Sequence, residues 1–243
     1  MLVTSFSPTR LEAQDKAVQS WKQHGLSFRA VQCIGEDYAK DFTDNIEWVK
    51  PNLHWSKRTP SLMDIFKTID SPTTLINSDI ELEGSFSVNV PEISLRTCTQ
   101  QTPPPEIMNS KTFDWKPESN VLRIGIRTDY CPQFTQLNKY GFDAYLITPE
   151  TAKLLVNNSI WGLGIPGCDY WIVWKLLTLG YTLDIHKKGF LHAAHKEQWN
   201  KDDYRRCSKL LEFEFDIPVQ DIADTLQELT GRTHLTKRTY LNE

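Results

Sequence analysis

Thr73-Thr74-Leu75-Ile76 runs directly into Asn77-Ser78-Asp79-Ile80-Glu81. The first four residues form a short β-prone run, and the next five deliver an amide, a hydroxyl and two carboxylates to its carboxyl end. Open α/β sheets bind their ligands at that end of their strands. Just upstream, Thr59-Pro60 predicts a helix start with proline at the first helical position. Leu62, Ile65, Phe66 and Ile69 follow as one apolar stripe at helical spacing, and Ser71-Pro72 stops it. Further back, Leu2 to Ser5 is a short apolar run, and Thr9-Arg10-Leu11-Glu12 matches a capping box opening a helix that ends near His24-Gly25. Phe28 to Ile34 and Ile46 to Val49 read as strands, so the first third of the chain alternates β with α.

Downstream, residues 84 to 120 carry Pro91, Pro103, Pro104, Pro105 and Pro117 without helical periodicity, which predicts short strands and a loop able to act as a flap. Val121 to Arg127 and Phe142 to Ile147 are further strands, the second leading into a helix start at Thr148-Pro149-Glu150. Trp161 to Gly167 is a glycine-rich loop. Asp169 to Leu179 is a helix apolar nearly all round, hence buried, closing at Gly180. Tyr181 to Ile185 is a strand, and Gly189 to His195 brings two histidines to the end of another short element. From Asn200 the pattern is helical, with Val219, Ile222, Leu226 and Leu229 in register, and residues 232 to 243 read as a loosely held tail. The pattern predicts an α/β fold in one domain with a helical C-terminal extension over residues 201–243.

Composition supports a globular chain. Of 243 residues, 40% are apolar and 24% charged, with a formal charge of −4, which lacks the signature of disorder. The mildly acidic balance argues against a broad basic surface for nucleic acid, although Lys57-Arg58 and Arg205-Arg206 are local basic clusters. The longest stretch without Asp, Glu, Lys or Arg, Leu154 to Cys168, is too short and too polar to span a bilayer. The N-terminal residues lack the pattern of a signal peptide, so the expected location is cytoplasmic. Cys33, Cys98, Cys131, Cys168 and Cys207 are odd in number and widely spaced, and read as reduced thiols.

Several residues suit chemistry. Side chains two apart on an extended segment share a direction, so Asn77 with Asp79, or Asp79 with Glu81, can present two oxygens to Mg²⁺ or Mn²⁺, and such a cation can hold a diphosphate. The same residue types also suit a solvated turn. His192-Ala193-Ala194-His195 adds imidazoles, as metal ligands or as hydrogen-bonded structural groups. Asp169 reads as a helix N-cap and, held rigidly there, as a base able to take a proton from an acceptor hydroxyl. Ser7, Thr9 and Arg10 follow the first strand, where hydroxyls, helix-start N–H groups and a guanidinium suit phosphate or ribose. No GxGxxG, Walker or GxSxG sequence is present.

A first strand ending in a polar loop, KRTPSLMDIF at residues 57–66, a strand ending in NSDIEL, a later WGLGIPGCDYW and a final FLHAAH, in that order, resemble the GT-A glycosyltransferase family over residues 1–200. The resemblance implies a Rossmann-type mixed sheet flanked by helices. It implies a sugar moved from a nucleotide-diphosphate donor to a hydroxyl acceptor, assisted by a divalent metal, Mn²⁺ or Mg²⁺. The family's strand-end Asp-x-Asp motif falls on Asn77 and Asp79, so Asp79 is the matched metal position and its first acid is replaced by an amide. His192 or His195 falls where a histidine often completes the metal site. Asp169 falls at the acceptor-side acid that serves inverting members as general base. Ser7, Arg10, Arg58, Asn77 and Ser78 match donor-binding regions, and Trp161, in the glycine-rich loop, is a candidate to stack on the donor. Alternative readings are a nucleotidyltransferase attacking the α-phosphate, or a non-catalytic nucleotide- or carbohydrate-binding domain that has no use for Asp169.

Overall fold

Short, β-rich runs alternating with amphipathic helices build a layered α/β molecule. The computed structural model describes residues 1–83, 92–94, 112–114, 117–130, 142–156, 160–186, 189–193 and 199–230. In chain order the elements are β1 (Leu2–Thr4), α1 (Leu11–Gln23), β2 (Phe28–Cys33), a 3₁₀ turn at Asp37–Asp41, β3 (Ile46–Val49), α2 (Leu62–Lys67), β4 (Thr73–Ile76) and β5 (Ile80–Leu82). They continue with β6 (Glu92–Ser94), β7 (Thr112–Asp114), β8 (Val121–Ile126), β9 (Thr128–Tyr130), β10 (Phe142–Ile147), α3 (Pro149–Leu155) and α4 (Cys168–Thr178). The last are β11 (Thr182–His186), β12 (Phe190–Ala193), α5 (Lys201–Phe215) and α6 (Val219–Thr230).

The main sheet has seven strands in the order β11-β8-β10-β4-β1-β2-β3. β10 runs antiparallel to both of its neighbours, while the other adjacent pairs are parallel. The sheet is therefore mixed, and it is flanked by helices. After β1 the chain steps outward to β2 and β3, then returns to place β4 on the other side of β1. That reversal opens a crevice at the carboxyl ends of β1 and β4, where ligands bind in open sheets. The reversed β10 brings its own first residues to the same end, because Ala144 pairs with Ile76 at the tip of β4. A small sheet, β5-β12-β9, lies beyond it with His192 opposite Ile80, and β6 pairs antiparallel with β7.

Successive side chains of a strand point to opposite faces. Leu2 and Val3, Ala30 and Val31, and Ile76 and Leu75 accordingly divide between two cores. One holds Ala17, Val18 and Trp21 of α1. The other holds the α2 stripe Leu62, Ile65, Phe66 and Ile69, the apolar α4, and Cys207, Leu211, Val219, Ile222 and Leu226 of α5 and α6. The helices after residue 200 thus share the core of the preceding residues. No helix among the described residues is long and apolar enough to cross a membrane.

Three helix starts differ from the sequence expectation. Leu11 opens α1, with Arg10 at the N-cap in the left-handed region (φ 60°) and no side-chain cap, so Thr9 does not form the capping box. Ser61, not Thr59, caps α2: its hydroxyl accepts from Asp64 N–H at 3.1 Å. Leu62 N–H is meanwhile pinned to the Trp161 carbonyl at 2.7 Å, which holds Thr59-Pro60 outside the helix. Gly167, with φ 76°, is the N-cap of α4, which displaces Asp169 from the cap to the second helical residue. The flap reading of residues 84–120 falls mostly outside the described residues, as do His195 and the tail from residue 232.

Candidate functional site

Two glutamines organise the loop after β1. Gln32 accepts from Phe6 N–H at 2.9 Å and donates to the Phe6 carbonyl at 3.0 Å and to Glu36 at 2.6 Å. Gln14 accepts from Ser7 N–H at 2.7 Å and donates to the carbonyls of Ser7 and Thr9 at 2.9 and 2.8 Å. Its Oε1 also accepts from the Ser78 hydroxyl at 2.8 Å. One amide therefore staples the loop after β1 to the loop after β4, and Ser7 and Ser78, 64 residues apart from Gln14 in the second case, meet around it. A polar residue facing inward from a helix is the only sequence signal for Gln14.

The charged centre sits beside that staple. Arg10 forms an ion pair through Nη1 with Asp79 Oδ2, and His192 Nε2 lies 3.3 Å from the same oxygen. Asp79 and His192 are 7% and 3% exposed, so guanidinium, carboxylate and imidazole interact where water screens them weakly. β5 fixes the carboxylate: the Trp21 indole donates to the Ile80 carbonyl at 2.9 Å, and Leu82 N–H donates to the Ser20 hydroxyl at 3.0 Å. The register of β12 then lays His192 across from Ile80. Arg10 reaches Asp79 from a left-handed backbone that costs a non-glycine residue about 1–2 kcal/mol. Strain of this kind persists where surrounding structure enforces it and concentrates at functional sites.

Residues 54–58 add further cations. Burial lowers the Lys57 pKa, the Arg10 charge lowers it further, and the Asp203 carboxylate opposes both. The Lys57 ammonium lies over the Trp199 ring at 5.0 Å. Arg58 Nε is 3.9 Å from Glu36. α5 anchors this segment, since Asp203 Oδ1 accepts from Ser56 N–H at 3.2 Å, Asp203 Oδ2 accepts from the Ser56 hydroxyl, and Arg206 donates to the His54 carbonyl.

On the other flank, Asn77 donates through Nδ2 to Asp143 Oδ1 at 2.6 Å, and Arg127 Nη1 lies 3.2 Å from that oxygen. Asp143, 3% exposed, is a functional candidate not foreseen in the sequence, where it reads as one polar position in the strand FDAYLI. Asp169 is half-buried in the first turn of α4 and accepts from Tyr170 N–H at 3.0 Å. The Cys168 thiol is pushed up by burial first, and then by the negative charges of Asp169 and Asp143. Trp161 is a correction. It is 1% exposed, stacks on Trp171 with ring centroids 6.0 Å apart and packs in the core, so its ring has no open face for a ligand.

Among the described residues there is no group of three His, Cys, Asp or Glu side chains able to hold a metal. Asp79 and His192 bring together one carboxylate and one imidazole, with the Arg10 guanidinium already against the same Asp79 oxygen. A carboxylate and an imidazole are ligand types that divalent metals accept. No protein-family model matches the chain, and no curated protein matches it in sequence.

Proposed function

We propose that the chain is a GT-A type glycosyltransferase that moves a sugar from a nucleotide-diphosphate donor to a hydroxyl acceptor. The observation that carries this reading is the convergence of Asp79, His192 and Arg10 in the crevice between β1 and β4, with Lys57 in the field of Arg10. Half-buried cations around one buried carboxylate suit a polyanion that gains charge as its sugar leaves. Arg10 and Lys57 bind and orient the diphosphate and stabilise that charge. Ser7, Thr9 and the Gln14 staple shape the loop that receives the nucleoside. Asp79 and His192 would hold the divalent cation, which supplies further neutralisation of the leaving group when bound. Asp169, rigid on α4, takes the proton of the acceptor hydroxyl if the anomeric centre inverts.

Thermal unfolding against UDP-, GDP-, CMP- and ADP-linked sugars, each with Mn²⁺ or EDTA, tests the reading. A donor at about 100 times its Kd adds about 2.7 kcal/mol, which raises the midpoint by roughly 5–11 °C for a chain of this size. The expected result is a Mn²⁺-dependent rise with one nucleotide family, lost in Asp79→Ala. No rise with any donor refutes it. Asp169→Asn is expected to keep the rise and lose turnover, and turnover at the wild-type rate removes Asp169 from the chemistry.

A further inference from the structure

We infer that Glu36, just past the carboxyl end of β2, is a nucleoside contact of the crevice, and that its Oε1 accepts a hydroxyl of the donor's ribose. This names a subsite of the proposed reading and rests on it. Gly35, with φ 87°, turns the chain after β2 so that Glu36 N–H donates to the Cys33 carbonyl at 3.1 Å and the side chain folds back onto the strand end. There the residue is 8% exposed, and Oε2 accepts from Gln32 Nε2 at 2.6 Å and from Cys33 N–H at 3.3 Å. Oε1 is the oxygen left over. Its ion-pair partner, Arg58 Nε, stands 3.9 Å away, beyond hydrogen-bond reach, and Arg58 Nη2 donates instead to the Ile34 carbonyl. The nearby Tyr38 hydroxyl donates to the Phe6 carbonyl at 3.1 Å. A nearly buried carboxylate with one oxygen short of a donor is costly until a ligand supplies one.

The position suits a nucleoside. Gln32 Nε2 also donates to the Phe6 carbonyl at 3.0 Å, so a single amide joins Glu36 to the loop after β1 that leads to Arg10. The sheet order β10-β4-β1-β2 then sets the direction of the donor. With the diphosphate held by Arg10 between β4 and β1, and the sugar turned toward Asp169 on α4, which packs against β10, the nucleoside runs the other way, over β1 and β2. Adjacent strands lie about 4.8 Å apart, so the end of β2 is within one ribose of the end of β1. An ionised carboxylate only accepts, and a ribose hydroxyl donates. Ile34, 55% exposed two residues before Glu36, offers an apolar surface at the same strand end.

The test is binding of UDP, GDP, CDP and ADP to the whole protein with Mn²⁺ present, read by calorimetry, each diphosphate against its 2′-deoxy and 3′-deoxy forms. In the wild type, the diphosphate that binds is expected to lose about 10- to 100-fold in affinity when one of the two hydroxyls is removed, as for a hydrogen bond to a charged acceptor. In Glu36→Gln, Gln32 Nε2 and Cys33 N–H still demand an acceptor at the Oε2 place, so the amide turns its NH₂ to the Oε1 place. The ratio between ribose and deoxyribose forms is expected to shrink to about threefold or less, which a merely structural role for Glu36 does not predict. Should Glu36→Gln fail to fold, Glu36→Asp, which keeps an acid but draws it back by one methylene, takes its place with the same expectation. A wild type that binds a diphosphate and ignores both deletions overturns the inference and leaves the nucleotide-donor reading standing. So does an unchanged ratio in the folded variant, including one accompanied by a new preference among the four bases, which would put Glu36 on the base. Absence of binding by all four diphosphates overturns the nucleotide-donor reading, and the inference with it.

Discussion

Replacing Gly167 with alanine tests whether the start of α4 is packed as tightly as its geometry implies. The residue has φ 76°, and an added Cβ would lie 2.1 Å from Cys207 Sγ, with Leu211 Cδ1 at 3.4 Å and Cys207 Cβ at 3.7 Å. Left-handed backbone costs a residue bearing Cβ about 1–2 kcal/mol. The overlap with Cys207 Sγ forces a buried side chain to move, at about 1–3 kcal/mol. Gly167→Ala is therefore expected to destabilise by about 2–5 kcal/mol, measured as the urea midpoint at constant m. Cys207→Ala deletes the overlapping atom and leaves contacts of ordinary length. In that background Gly167→Ala is expected to cost only the backbone part, about 1–2 kcal/mol, which gives a coupling of about 1–3 kcal/mol in the double-mutant cycle. Equal costs in the two backgrounds refute the packing account, and a neutral Gly167→Ala refutes the strain as well.

Arg10→Gly relieves the left-handed strain while removing the ion pair to Asp79, so unfolding free energy is expected to change by no more than about 1 kcal/mol. The donor-induced rise in melting midpoint should nevertheless disappear, and a rise of wild-type size takes Arg10 out of the donor site. Asp203→Ala frees Ser56 and removes the carboxylate that favours the charged form of Lys57. Donor KM is expected to rise about tenfold, the equivalent of about 1.4 kcal/mol, with kcat less affected, and steady-state kinetics that move kcat alone contradict this. Burial lowers the His186 pKa below its ordinary 6.5, so the unfolded chain binds this proton more readily than the folded one. The stability of the neutral form is complete above pH 6.5 and is lost as pH falls through the folded value, with a slope of at most about 1.4 kcal/mol per pH unit. His186→Gln should flatten urea midpoints between pH 5 and 7, and superimposable profiles would count against it.

Much of the frame is legible along the chain because its signals are local. Ile46–Val49, Thr73–Ile76 and Phe142–Ile147 have the same bounds in sequence and structure, since each is a β-rich run closed by turn-forming residues. Helix starts are less so, because the winner among neighbouring caps is chosen by tertiary contacts such as the Trp161 carbonyl on Leu62. Arg10, Asp79 and His192 each stand out as residue types, yet their meeting spans 69 and 113 positions and depends on strand order and on the register of β12. Asp143 is hidden for a related reason. Only the reversed direction of β10 puts it against Asn77, 66 residues away, although a lone acid at the start of an apolar strand is a usable signal. Trp161 shows the converse error, because an aromatic in a glycine-rich loop is exposed only if nothing packs on that loop, and α4 and α5 do.

The clamp of α5 on residues 54–56 also sets a clock. Asp203 follows Ser56 by 147 residues. At a translation rate of 5–20 residues per second, about 7–30 s separate the synthesis of the basic segment from that of its anchor. For most of that interval Lys57 and Arg58 are carried on a growing chain that still lacks β11 and β12, and for all of it they lack the helix that fixes them. The crevice is thus among the last parts of the molecule to acquire its shape, and a nascent chain holds no finished polyanion site until its closing helices have emerged.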